Sequence, residues 1–141
     1  MGKGPDPSLR ERRQRVVQQH IDAENSGDLD AMIAGFHRPR YEVFPMGASF
    51  EGEQPVRELV KGLVSAFPDF HFAPHTTHHA EHAVIVEARM TGTHRSEWAG
   101  IPPKGKRLEL PVICVFDFEG EHLVNEKVYF DLATAQRQLG G

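Results

Sequence analysis

The stretch RLELPVICVFDFEGEHLVNEKVYFD, residues 107–131, alternates apolar and polar side chains on both sides of an EGEH turn. A period of two residues is typical of β-strands that bury one face. Two more alternating segments precede it, FHFAPHT at 70–76 and AVIVEARMTGTH at 83–94. The second half of the chain therefore predicts antiparallel strands of rising length.

The first half of the chain carries apolar residues at helical spacing instead. One helix is predicted from a cap at Pro7-Ser8, with an inner side formed by Leu9, Val16, Val17, His20, Ile21 and Glu24. A short helix follows Asp28, and a third helix is predicted to open at Pro55. Helices grouped before antiparallel strands indicate an α+β fold. We expect a strongly curved, mostly antiparallel sheet that encloses a pocket with the helices.

Length and composition predict the class of protein. A chain of 141 residues with 39% hydrophobic residues suits one domain over 1–141, with residues 1–7 as a disordered tail. Its net charge of -4 gives no reason to expect a nucleic-acid partner. No apolar run is long enough for a membrane span, and no signal peptide is recognisable, so we expect a cytoplasmic protein. The single cysteine, Cys114, excludes an intrachain disulfide.

Two motifs near the C-terminus resemble a known family. The loop GTHRSEWAGIPPKGKRLELP (92–111) and the segment VFDFEGEHLVNEKVYFDLATAQRQLG (115–140) together are similar to the SnoaL-like polyketide cyclases of the NTF2-like superfamily. The resemblance extends from about Val16 to Leu139. It implies a conical α+β fold, a homodimer, and a small ligand inside the cone. It also implies ring closure by intramolecular aldol condensation without a cofactor.

The resemblance implies that Asp131 is the acid/base and that His94 supports it. A carboxylate can act as a base when burial raises its pKa, and Tyr129 or His94 could donate a hydrogen bond to it. The other interpretation of Asp131 is a cap for the helix that begins at Leu132. Cys114 stands where the family pattern has a second supporting histidine.

Two glutamates interrupt apolar strands. Glu126 shares a face with Val124, Val128 and Phe130 by strand parity, and it is a competing acid/base if that face looks into the cone. If the face looks outward, Glu126 is solvated or paired with a partner subunit. For a buried Glu87 and Arg89 we expect a structural ion pair with other strands in preference to a catalytic role.

The remaining candidates are ligand-binding residues. Aromatic and small side chains that could line the cup are Tyr41, Phe44, Phe116 and Cys114. Trp98 lies in the loop predicted to form the rim, where it either shields a ligand or packs at a dimer contact. In HTTHHAEH (75–82) we expect His78 or His79 to reach the pocket, and the resemblance favours His79. The H-x-x-E-H match in that segment straddles a turn between strands, so we expect no metal site.

These patterns predict a cofactor-independent enzyme that acts on a small apolar or aromatic carbonyl compound, as a polyketide cyclase or an isomerase. The alternative is a non-catalytic domain of the same fold that binds a small molecule or assembles as a dimer.

Overall fold

The computed structural model describes residues 4–140. Its helices are α1 (Pro7–Ser26), α2 (Leu29–Ala34), α3 (Glu53–Ala66) and α4 (Leu132–Gly140). Its strands are β1 (Arg40–Val43), β2 (Ala48–Glu51), β3 (His71–His79), β4 (Ala83–Thr93), β5 (Arg107–Glu119) and β6 (His122–Tyr129). Among the described residues, no helix is long and apolar enough to cross a membrane.

The helix starts differ slightly from the prediction. The N-cap of α1 is Asp6, whose Oδ1 accepts a hydrogen bond from the Leu9 backbone at 3.0 Å. Residues 1–3 of the expected tail lie outside the described residues. Helix α3 begins at Glu53, and Pro55 lies in its first turn, where a backbone N–H has no helical acceptor.

The six strands form one curved sheet with the order β2-β1-β6-β5-β4-β3. Neighbouring strands are antiparallel except for β1 and β6, which are parallel. The prediction of an α+β fold with a mostly antiparallel, strongly curved sheet is confirmed. Helices α1 and α3 lie against the inner face of the sheet.

The inner face of the sheet carries the core. Strand β5 alternates between exposed and buried positions along its length, as a strand buried on one side must. Its inward side chains are Leu108, Leu110, Val112, Cys114, Phe116 and Phe118. The long alternating segment at 107–119 therefore supplies much of the buried inner face of the sheet.

A bulge in β6 changes which residues share a face. Asp117 pairs with Asn125, but Phe118 pairs with Leu123, so that Val124 is an extra residue in β6. Leu123 is therefore buried on the inner side. Strand parity alone placed Val124 on the same face as Glu126, and this part of the prediction is wrong.

Gly92 on β4 is required by close packing. A Cβ atom there would lie 2.9 Å from the Cβ of Phe67, which is fully buried. We expect Gly92→Ala to lower the free energy of unfolding by about 1–3 kcal/mol, because a packed core must shift to admit a methyl group. Urea denaturation measures this change.

Gly62→Ala is the matched control. Gly62 lies inside α3, and a Cβ atom there meets no atom within 4 Å. Helix propensity predicts a gain of about 0.5–1 kcal/mol for this variant. Equal effects of the two substitutions would contradict the packing argument.

Candidate active site

A cavity of about 320 Å³ lies between α3, the inner face of the sheet and the 94–106 loop. Most of its wall is apolar. The apolar lining side chains are Val43, Met46, Leu59, Val60, Leu63, Phe70, Phe72, Met90, Leu108, Val112, Val128 and Phe130. The predicted pocket is therefore present, with a volume suited to a small organic ligand.

The opening of the cavity lies between α3 and the 94–106 loop. The lining residues that are exposed to solvent are Glu58, Gly62, Glu97 and Ala99. Trp98 lines the cavity beside them and is half-buried. Its ring packs edge-on against Phe67, with centroids 5.4 Å apart, and lies 6.0 Å from the ring of Phe130. The loop thus forms a rim, as its sequence predicts.

Ionisable side chains meet at the inner end of the cavity. His20 Nε2 lies 2.9 Å from Glu126 Oε1 and 2.9 Å from Tyr41 Oη. His20 and Glu126 are 2% and 3% exposed. Glu24 lies one helical turn after His20 on the same face of α1. Glu24, Tyr41, Cys114 and Glu126 all line the cavity.

Burial and charge change the proton affinities of this cluster. Burial acts to lower the pKa of His20, but the charge and hydrogen bond of Glu126 outweigh it, so that the pKa is raised. Burial and the nearby charge of Glu126 raise the pKa of Glu24 from 4.5 to about 7. Within residues 4–140, no ion pair or side-chain hydrogen bond holds the Glu24 carboxylate.

The other two lining groups remain neutral. Burial, together with the negative charge of Glu126, raises the pKa of both Tyr41 and Cys114 well above the ordinary values. The Tyr41 hydroxyl therefore keeps its proton at physiological pH and can donate a hydrogen bond. The inner end thus combines a carboxylate that exchanges protons near neutrality with a fixed hydroxyl donor.

Asp131 lies outside the cavity, which corrects the expectation that it acts inside the cone. It is exposed and caps α4: its Oδ1 accepts a hydrogen bond from the Ala133 backbone at 3.1 Å. Its Oδ2 accepts one from the Thr134 hydroxyl at 2.5 Å, and this bond lowers the pKa of Asp131. Strand β6 ends at Tyr129, so Asp131 no longer follows the alternation of the sheet.

His94 is also separate from the cavity wall. It is fully buried and stacks on Phe67, with ring centroids 5.3 Å apart. Neither ring nitrogen has a hydrogen-bond partner within the described part of the chain. The prediction that His94 supports Asp131 is therefore wrong, because His94 makes no hydrogen bond to that carboxylate.

Tyr129 and Phe44 lie on the outer side of the sheet. Their rings stack on each other, with centroids 4.6 Å apart, and they are 39% and 47% exposed. Val128 faces the cavity, so the next residue along the strand must face outward. This placement corrects the prediction of a catalytic Tyr129 and of a ligand-binding Phe44.

Three further residues considered in the sequence analysis lie away from the cavity wall. Phe116 does not line the cavity, contrary to the prediction; it is buried and packs edge-on against His20, with centroids 5.6 Å apart. His79 is half-buried at the end of β3 and does not line the cavity, contrary to the prediction. Glu87 Oε2 lies 2.7 Å from Nε2 of His78 on β3, and both side chains are exposed, so Glu87 is not in the buried ion pair that was expected.

The sequence-based candidates omit His20 and Glu24. Their signal is present in the chain, since both belong to the inner side predicted for the first helix. Two ionisable residues one turn apart on the apolar side of a helix indicate either a buried pair or a site. Periodicity identifies that face, but it does not identify Glu126 and Tyr41 as the contacts.

Comparisons with known proteins agree with this architecture. The family model described as SnoaL-like polyketide cyclase matches residues 14–139. No curated protein sequence matches the chain. Similar solved structures include a protein assigned as a SnoaL-like polyketide cyclase from Jannaschia sp. CCS1, with a TM-score of 0.82 and 19% identity, covering 99% of each chain.

Two further structures show the same fold. One is assigned as a polyketide cyclase from Xanthomonas campestris pv. campestris, with a TM-score of 0.81 and 20% identity, covering 92% of this chain and 98% of that chain. The other is an NTF2-like protein from Burkholderia pseudomallei K96243, with a TM-score of 0.77 and 17% identity, covering 92% of this chain and 98% of that chain. Because the family model spans nearly the whole domain, the chain belongs to the SnoaL-like polyketide cyclase family.

Proposed function

We propose that this protein catalyses proton transfer at the carbon next to a carbonyl group in a small apolar molecule. This step is common to intramolecular aldol closure and to isomerisation. The observation that carries the proposal is Glu24, a carboxylate with a pKa of about 7 on the wall of an apolar cavity. A base whose pKa lies near the working pH is well suited to remove a proton from carbon.

Each residue of the inner end has a role in this step. Glu24 accepts the proton, and the electron pair of the broken C–H bond forms a double bond to the carbonyl carbon. The π pair of the C=O bond moves onto the oxygen at the same time, which gives an enolate. The Tyr41 hydroxyl donates a hydrogen bond to the oxygen on which negative charge develops. The enolate carbon then either attacks a second carbonyl group, whose oxygen takes the proton from Glu24, or takes that proton back itself. Neither outcome requires a redox or group-transfer cofactor.

The pair of His20 and Glu126 positions these groups. The raised pKa of His20 favours the protonated imidazole beside Glu126, and its Nε2 lies 2.9 Å from the hydroxyl of Tyr41, which lines the cavity. Most groups around the base are apolar, which strengthens the electrostatic interactions inside the cavity. His20 and Glu126 are positioning residues for Tyr41 and Glu24.

Glu24→Gln tests the proposal. With 2-tetralone as the probe, proton NMR in deuterated buffer follows exchange of the acidic C–H protons. We expect the wild-type protein to accelerate exchange, with a rate that rises with pH through about 7 as Glu24 ionises. Glu24→Gln should lower the catalysed rate by about 100-fold and remove this pH dependence.

Asp131→Asn is the control, because Asp131 lies outside the cavity and asparagine caps a helix as well as aspartate does. Its exchange rate should match that of the wild type. Exchange that is equally fast in Glu24→Gln would refute the assignment of the base. Binding of 2-tetralone without any accelerated exchange would support the alternative, a non-catalytic ligand-binding domain.

A homodimer stays a prediction for this chain. Phe44, Ile113 and Tyr129 are the large hydrophobic residues exposed among those described, and Ile113 pairs with Tyr129 across β5 and β6. A dimer that buries this outer face would cover them, and it would leave the opening of the cavity free. Sedimentation velocity of the wild type and of Ile113→Asp measures whether this face associates.

A further inference from the structure

The charged residues that line the cavity are all glutamates. Glu24 and Glu126 lie at the inner end, and Glu58 and Glu97 lie at the opening. Within residues 4–140, no lysine, arginine or histidine lines the cavity. Glu126 is compensated by His20, whereas the three other carboxylates have no ion pair among the described residues. Among the described residues, every charge on the cavity lining is therefore negative, and Glu24 contributes its share once the pH exceeds about 7.

This charge distribution discriminates between ligands. An anionic ligand would pass Glu58 and Glu97 and then lie near Glu24, inside apolar walls that screen charge poorly. A cationic ligand would gain from the same field. The ring of Trp98 stands beside Glu97 at the opening, and an indole face is the side chain that attracts cations best.

The rim holds Glu97 and Trp98 in defined positions. Trp98 and Ile101 exchange two backbone hydrogen bonds, of 3.2 and 2.9 Å, around a tight turn. Ala99 and Gly100 in this turn have φ values of 53° and 78°. The Gly100 N–H donates a hydrogen bond of 2.5 Å to Glu97 Oε2, which fixes that carboxylate over the turn. The opening thus presents a carboxylate that accepts a backbone hydrogen bond, next to an indole ring that packs on Phe67.

We propose that the substrate carries a protonated amine, which binds at the opening between Glu58, Glu97 and Trp98. Its apolar body fills the cavity, and its carbonyl group reaches Glu24 and Tyr41; this orientation rests on the proposed function. The substrate class is an amino ketone with a compact apolar skeleton. The same charges that bind the amine weaken the binding of carboxylates and phosphates.

Three ligands with one skeleton test this inference: 2-aminotetralin, 2-tetralol and tetralin-2-carboxylate. Isothermal titration at low salt, at a pH above that of Glu24 ionisation, gives their dissociation constants. We expect the wild-type protein to bind the amine about tenfold more tightly than the alcohol, and the carboxylate about tenfold more weakly. Equal affinities for the amine and the alcohol would overturn the inference.

The double variant Glu58→Gln/Glu97→Gln locates the amine. Glutamine keeps an acceptor for the hydrogen bonds from Gln54 and Gly100, so the rim can keep its shape. The preference for the amine over the alcohol should fall to about threefold or less. The double variant Glu51→Gln/Glu119→Gln removes the same charge from exposed positions outside the cavity and should keep the wild-type preference.

A preference that survives in Glu58→Gln/Glu97→Gln would also overturn the inference. The result is separable from that of the proposed function, because 2-tetralone carries no amine. Exchange of 2-tetralone without amine preference would sustain the base and refute the amine site. Amine preference without exchange of 2-tetralone would sustain the amine site and refute Glu24 as the base.

Discussion

His20→Leu is expected to lower the free energy of unfolding by about 3–5 kcal/mol, the cost of leaving a buried charge without its partner. Glu126 is 3% exposed, and the imidazole of His20 is its ion-pair partner at 2.9 Å. Leucine fills a similar volume but supplies no charge and no hydrogen bond. The Tyr41 hydroxyl loses its contact with the imidazole in the same variant. Urea denaturation near neutral pH measures the loss.

The double variant His20→Leu/Glu126→Leu separates charge from packing. It removes both members of the pair, so no uncompensated charge remains in the core. We expect it to be more stable than either single variant, because apolar side chains of suitable volume often replace a buried ion pair without loss. A double variant that loses the sum of the single effects would show that the two residues act independently.

Glu24→Gln is expected to stabilise the protein by about 3 kcal/mol above neutral pH, while it lowers the exchange rate. The folded protein raises the pKa of Glu24 from 4.5 to about 7, so ionisation is more costly in the folded state than in the unfolded state. Below pH 4.5 the carboxyl group is protonated in both states and carries no penalty. Between pH 4.5 and about 7 the folded state binds more protons, so its stability falls as pH rises.

Unfolding curves of the wild type and Glu24→Gln across this pH range test the sign of this change in stability with pH. The free energy of unfolding of Glu24→Gln should exceed that of the wild type by an amount that grows from low pH to a plateau above about 7. His20 contributes a slope of the same sign, since its raised pKa stabilises the folded state at low pH and this contribution disappears as pH rises through the folded value. That slope should persist in Glu24→Gln. A stability difference that is constant with pH would contradict the raised pKa.

The stability and activity of Glu24→Gln are predicted to change in opposite directions. A base with a pKa near neutrality must be held in surroundings that disfavour its charge, and those surroundings weaken the fold. The same physical cause therefore links this prediction to the exchange experiment.

The site shows where strand parity and helical periodicity suffice and where they fail. The inner face of α1 follows from the spacing of its apolar residues, and it correctly includes His20 and Glu24. Parity places Glu126 and Val128 on one face of β6, and the structure has both on the cavity wall. The same parity puts Tyr129 on the opposite face. The assignment of Asp131 failed because alternation ends with the strand, and a residue beyond that end takes its direction from the next helix.

The amino-acid sequence by itself determined the architecture and the family of this protein. Its periodicities are local properties, repeated over enough residues that the helices, the long strands and their curved α+β arrangement follow from them. Its loop and C-terminal motifs resemble the family whose model matches 14–139.

Only the tertiary structure decided which carboxylate faces the cavity and what surrounds it. The pair of His20 and Glu126 joins the first helix to the last strand, and nothing in the local pattern of either segment specifies that contact. A bulge of one residue in β6 also reversed the face of Val124. The pKa of Glu24 depends on burial by distant segments and on the charge of Glu126, and these are properties of the packed molecule alone.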